Sequence, residues 1–218
     1  MYTLTLSEAQ AFVRKSMDEL ADNESYMMAQ DLDKEYIDRI ISESIVEAIT
    51  FVHLSAPAAM LQGRDISSNI TTSLDGLAVR IDAGSTGILR FCGCKAVDSP
   101  IVVSTAVEAD SPEGRMQENR FVRGTWDRPV LVHQRDGKAH ADPFGQEYRY
   151  HSLREVLTGK IFDFFSIIPV PVRGSASFEV SPLLLQPTLN KLTALVMTAL
   201  GAEQTAAIFD NRTKEYLQ

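Results

Sequence analysis

Apolar positions in the first quarter of the chain recur at spacings of three and four. Ala9, Phe12, Val13 and Met17 share one face, and Thr5 with Glu8 three positions later matches a capping box, so a helix of about three turns is expected from residue 5. Residues 18–33, DELADNESYMMAQDLD, are acidic and interrupted by Asn23 and Ser25; they read as a solvated loop ending in an N-cap at Asp31 or Asp33. Ile37, Ile40, Ile41, Ile45, Ala48, Ile49 and Val52 then form a second apolar stripe, with Asp38, Arg39, Glu43 and Glu47 off it, and this helix is expected to stop before Pro57.

At about Ser68 the period changes to two. Leu77, Val79 and Ile81 alternate with Ala78, Arg80 and Asp82, and further strands are expected at 88–94, 100–107, 120–125, 129–134 and 146–151. Gly84, Gly87, Asp98-Ser99, Ser111-Pro112 and Asp136-Gly137 punctuate them, the last pair as a hairpin signal. A helical turn over 152–158 precedes two more strands, FDFFSIIPVPV and SFEV. Helical spacing returns after Ser181, with Leu185, Leu189, Leu192, Val196 and Leu200 in register, Gly201 as C-cap, and a last short helix over about 203–216. The expectation is an α+β chain. Residues 1–66 form an N-terminal helical segment, 67–181 a β-rich insertion, and 182–218 helices that pack back on the N-terminal segment, because two apolar stripes are most simply buried against each other.

Composition adds little to this outline, but charge adds more. The 218 residues are 44% hydrophobic and 23% charged, which is ordinary globular usage. A net charge of −8 leaves no general electrostatic footprint for gripping nucleic acid. The first fifty residues are acidic, whereas 115–160 lean basic through Arg115, Arg120, Arg123, Arg128, Arg135, Lys138, Arg149, Arg154 and Lys160. Ends of opposite sign can steer copies of one protein into head-to-tail contact, or can simply be solvated faces. No basic-then-apolar leader begins the sequence, and the apolar stretch around Leu183 to Leu200 is broken by Gln186, Pro187, Asn190 and Lys191, so neither a secretory signal nor a membrane span is expected.

Residues able to carry chemistry are scattered. Cys92 and Cys94, with His133, His140 and His151, match none of the usual zinc spacings, although both cysteines would share a face of a regular strand. Gly84-Ser85-Thr86-Gly87 lacks the lysine of a phosphate-binding loop, and no G-x-S-x-G is present. The reading is a non-enzyme with no cofactor and no metal. Its competitors are a metal- or thiol-dependent hydrolase built on Cys92, Cys94 and His133, and a cytoplasmic protein-binding adaptor. Trp126, in RGTWDRP, is either a core residue or an interface anchor, and Phe209 and Tyr216 are either core contacts or part of a docking segment. With Arg120, Arg123 and Arg128 they make up the candidate interface set.

The helical pair itself carries a resemblance. Leu6, Glu8, Ala9, Val13 and Arg14, then Asp31 and Asp33, then Tyr36, Ile37, Ile40, Ile41, Ala48 and Ile49 resemble the first two helices of tailed-bacteriophage head-tail connector proteins, over about a quarter of the chain. The β-rich middle departs from the small all-helical adaptors and is similar in texture to the enlarged neck rings of crAss-like podophages. The resemblance implies a virion protein in the neck: a homo-oligomeric ring, twelvefold to match the portal. It would bind portal and other neck or tail proteins and surround passing double-stranded DNA without reading its sequence or contacting a membrane. An acidic lumen would suit such a conduit, since it would not retain phosphate.

Overall fold

The computed structural model describes residues 1–21, 34–75, 78–82, 87–97, 99–119, 121–135, 146–152 and 161–218. The chain has both helices and strands and divides into two compact units, Met1–Gln62 with Pro171–Gln218 and Gly63–Val170.

A short strand β1 (Tyr2–Thr5) leads directly into α1 (Leu6–Ala21). The junction is the capping box: Glu8 N–H donates to Thr5 Oγ1 at 3.2 Å, and Thr5 N–H donates to Glu8 Oε2 at 2.8 Å. Helix α1 runs four residues into the segment expected as loop, because Glu19, Leu20 and Ala21 are good helix formers and no breaker precedes Asn23. The expected N-caps Asp31 and Asp33 lie outside the described residues. Helix α2 (Lys34–Ser55) buries the whole predicted stripe, plus His53.

The β-rich unit then follows: β2 (Arg64–Asp65), β3 (Thr71–Asp75), β4 (Ala78–Asp82), β5 (Ile88–Ala96), β6 (Ala106–Glu108), a single-turn helix α3 (Pro112–Met116), β7 (Val130–Arg135), β8 (Gln146–His151) and β9 (Phe162–Pro169). They form a three-stranded sheet ordered β2-β9-β5 and a five-stranded sheet ordered β3-β4-β8-β7-β6, antiparallel except for the parallel β6–β7 pair. Strands from both sheets feed one core, with Ile81, Leu131, Tyr148 and Tyr150 from one and Cys94, Phe162, Phe165 and Ile167 from the other. Two expected strands are corrected. The 100–107 run contributes only a bridge at Val103 and the short β6, and 120–125 is turn where it is described, with an isolated bridge at Thr125. The Gly84 turn, the Asp136-Gly137 turn and the 152–158 helical turn fall on or mostly on residues outside the described ones.

Beyond Val170 the chain returns to the helical unit through β10 (Ser177–Val180), α4 (Leu185–Ala199) and α5 (Glu203–Tyr216). Here the expected boundary at 181 moves, because SFEV does not join the insertion's sheets. It pairs antiparallel with β1, Leu4 opposite Phe178 and Tyr2 opposite Val180, and both Leu4 and Phe178 enter the helical core. Helix α4 packs on α2 and α5, with Ile41, Ile45, Ile49, Leu192 and Val196 at the centre. Gly201, at φ 78°, closes α4 in the left-handed conformation that an L side chain rarely adopts; its N–H reaches Thr198 O at 3.0 Å, and Ala202 N–H reaches Met197 O at 2.9 Å.

One polar knot ties the two ends of the helical unit's backbone together where the insertion leaves and rejoins it. His53 is fully buried; its Nδ1–H donates to Ile49 O at 2.9 Å, which leaves Nε2 to accept the Ser181 N–H at 3.2 Å. The Ser181 hydroxyl donates to Met60 O at 2.7 Å and accepts the Gln62 N–H at 3.0 Å. Each of these buried polar groups has a partner, which is the condition under which burying them costs little.

Candidate functional site

Between β6 and β7 the chain makes an excursion over residues 109–129 that no sheet absorbs, and its construction is that of a rigid loop. Ser111 caps α3: its hydroxyl accepts the Gly114 N–H at 3.0 Å and donates to Glu108 O at 2.6 Å. Gln117, only 5% exposed, spans the loop, donating through Nε2 to Glu113 O at 3.2 Å and accepting the Gly124 N–H at Oε1 over 2.6 Å. Asn119 makes the next turn, its side chain accepting the Phe121 N–H at 3.0 Å while its carbonyl accepts the Val122 and Arg123 N–H groups. Thr125 and Arg128 close the return with a reciprocal pair of backbone bonds at 3.1 Å. Gly124 sits hard against the sheet: a Cβ there would lie 2.5 Å from His151 O and 2.8 Å from Val130 N, so only glycine fits.

What this scaffold holds outward is apolar. Phe121 is 92% exposed, with Val122 and Met116 also well exposed. A solvated phenylalanine on a floppy chain would be unremarkable; here the backbone that carries it is already held by the buried Gln117, so that part of the ordering entropy has been lost on folding.

Of the predicted interface residues, Arg123, Trp126 and Arg128 all lie on this loop, and Arg120 lies outside the described residues. Arg123 and Trp126 are half-buried and Arg128 is exposed. Arg123 stands near His151, a residue only 7% exposed; burial first, then the Arg123 and Arg149 guanidiniums, pull its pKa down to about 4. At neutral pH His151 is therefore uncharged. Phe209 belongs elsewhere: it is 4% exposed in the helical unit under the Arg212 guanidinium, 5.2 Å from its ring centre, and has almost no surface to offer. Tyr216 is half-exposed and lines a shallow hollow of about 420 Å³ with Gln186, Asn190, Arg212 and Glu215. The two C-terminal aromatics thus do not join the loop residues in one unit.

The sequence pointed at the loop through its arginines and tryptophan but passed over Phe121, Val122 and Met116. The strand formers Phe121, Val122 and Thr125 in RFVRGT read as strand. The signal against that reading was the flanking pair Asn119 and Gly124, a turn former and a residue free of Cβ, on either side of four residues.

The thiol and histidine candidates are also placed. Phe91 pairs with Ile167 and Gly93 with Ser166, so Cys92 is the extra residue of a bulge and the strand on which both cysteines were expected to share a face is not regular. Cys94 is fully buried in the core and Cys92 half-buried; burial pushes their pKa values up to about 12 and about 11, so at neutral pH both are thiols, the non-nucleophilic form. His133 stands between Tyr148 and Glu108 in a cross-strand row Ile81–Tyr148–His133–Glu108; its Nδ1–H donates to Glu108 Oε1 at 3.2 Å and its ring stacks on Tyr148 at 5.0 Å. Among the described residues no three His, Cys, Asp or Glu side chains are grouped so as to hold a metal, and no helix is long and apolar enough to cross a membrane. His140 lies outside the described residues.

Gln117 offers a direct test of the loop's rigidity. Gln117→Ala strands the Gly124 N–H against the sheet, a loss of about 1–3 kcal/mol for a buried donor. Hydrogen–deuterium exchange of the 117–126 amides should accelerate about tenfold or more, while the β7 and β8 amides keep their protection. Unchanged exchange across the loop would mean that Gln117 is not what holds it.

No protein-family model, curated protein or solved structure matches the chain.

Proposed function

We propose that this chain is a structural subunit of a tailed-phage neck: a head-tail connector ring, twelvefold like the portal it meets, that joins portal to tail and surrounds the exiting DNA. The observation that carries the assembly part of this reading is the Phe121 tip, an exposed aromatic on a hydrogen-bonded loop, which is the arrangement a subunit uses to engage another protein surface. The neck assignment is supported by the resemblance of the first two helices, α1 and α2, to those of connector proteins. Charge is compatible with it, since a lumen formed by a chain of net charge −8 would let phosphate slide instead of retaining it.

Mass photometry and negative-stain electron microscopy of the purified full chain test the reading. Closed rings with a central opening are expected as concentration rises, and those rings should bind a purified tailed-phage portal ring. A chain that stays monomeric at every concentration and ignores the portal would overturn it.

A further inference from the structure

Charge is divided unequally between the two units. The helical unit holds fifteen acidic residues against eight basic ones, whereas the β-rich unit holds fourteen against thirteen, so nearly all of the net negative charge lies on the helical side. Around the Phe121 tip the balance reverses locally: between Gly114 and Arg128 stand Arg115, Arg120, Arg123 and Arg128 against Glu118 and Asp127.

A matching surface exists on α2. Its buried stripe faces the helical core, and the opposite side presents Tyr36, Glu43, Glu47, Phe51 and Leu54 at spacings of seven, four, four and three, all exposed. An apolar patch of Phe51 and Leu54 thus continues into two glutamates one and two turns back along the helix. Cations on this side are engaged locally: the Arg39 guanidinium lies 5.3 Å from the Tyr36 ring centre, and Lys191, 4.2 Å from the Phe51 ring centre, also binds Asp210 at 2.6 Å.

We infer that the Phe121 loop of one copy docks on the outer face of α2 of a second copy, Phe121 and Val122 meeting Phe51 and Leu54 while the loop arginines meet Glu43 and Glu47. The inference rests on the assembly reading above and names the surfaces that would serve it. Such a contact joins two different patches, so after one docking the donor copy still has a free α2 face and the acceptor copy a free loop; a head-to-tail contact of this kind propagates into a ring or a filament, whereas a contact of one patch with itself would stop at a dimer. Opposite charge at its rim also makes the contact weaken as salt rises.

Two single-sided variants test it: Phe121→Asp, which disables the loop, and Glu43→Arg with Glu47→Arg, which disables the face. All three positions are exposed, so the fold should persist, and Trp126 fluorescence and circular dichroism check that it does. Each variant alone should sediment as a monomer, its association at least about 30-fold weaker than that of the wild type. Mixed together they should form a complex of two and no larger, because the loop-disabled copy still has its face and the face-disabled copy its loop. If the wild type assembles and either variant assembles as well as it does, or if the mixture gives no heterodimer, the docking pair is wrong while the assembly reading stands. A wild type that never associates would overturn both.

Discussion

Replacing Phe165 by alanine should cost the β-rich unit about 3–5 kcal/mol, the range for emptying a buried phenylalanine site. Phe165 has no exposed surface and touches three other aromatic rings: Phe91 with centroids 5.3 Å apart, and Tyr148 and Phe162 each at 5.7 Å, both edge-on. It stands on β9, the central strand of the three-stranded sheet, and packs against Tyr148 of the other, so its removal opens a void between two sheets that are each held by hydrogen bonds and collapse poorly into it. Edge-to-face contacts add to the loss beyond the area term. The measurement is convenient because Trp126 is the only tryptophan and lies in this unit, so its fluorescence follows the β-rich unit while circular dichroism near 222 nm is weighted towards the helices. Urea unfolding read by Trp126 should lose most of its midpoint. A loss under about 1 kcal/mol would show that Phe91 and Tyr148 refill the space, and that Phe165 is not the centre of this core.

That core was harder to read from the sequence than the helical one, for a physical reason. Helical burial is set by neighbours three and four residues away, so the stripe from Ile37 to Val52, the Thr5–Glu8 cap and the Gly201 terminus could each be read locally. Sheet burial is set by partners far along the chain. β10 looked like part of the insertion because it follows β9 closely in sequence, yet its partner is β1, at the other end of the chain. The bulge at Cys92 exists only because β5 and β9 pair with shifts in register, which neither strand announces alone. The candidate site was half legible by the same logic. Arg123, Trp126 and Arg128 stood out by type, but the exposure of Phe121 follows from the Gln117–Gly124 bond closing a turn, and nothing in the residue itself distinguishes it from a strand phenylalanine.

The loop's seat on the sheet should be sensitive to acid through His151. The sign follows from proton counting. In the unfolded chain His151 titrates near its ordinary value of about 6.5, whereas in the folded chain burial, Arg123 and Arg149 hold it down at about 4. Between those pH values the unfolded chain binds a proton that the folded chain refuses, so stability falls as pH drops from about 6.5 to about 4 and the loss levels off below. The full shift corresponds to a loss on the order of 3 kcal/mol. Ordinary carboxylates, at about 3.9 and 4.3, begin to titrate at the bottom of this window, so the difference between the wild type and a variant without His151, not the absolute loss, isolates the histidine. Urea unfolding read by Trp126 at pH 7 and at pH 4.5 should therefore separate the wild type, which loses most of this amount, from His151→Gln, which has no proton to gain and should change much less. Arg123→Gln should narrow the difference by removing one of the two guanidiniums that oppose protonation. Gly124 packs on the His151 carbonyl, so protonation strains the same contact that fixes the Phe121 tip, and amide exchange in 121–126 should rise along with the loss of stability. Equal acid sensitivity in the wild type and His151→Gln would locate the acid-labile group elsewhere and leave the loop's anchor indifferent to pH.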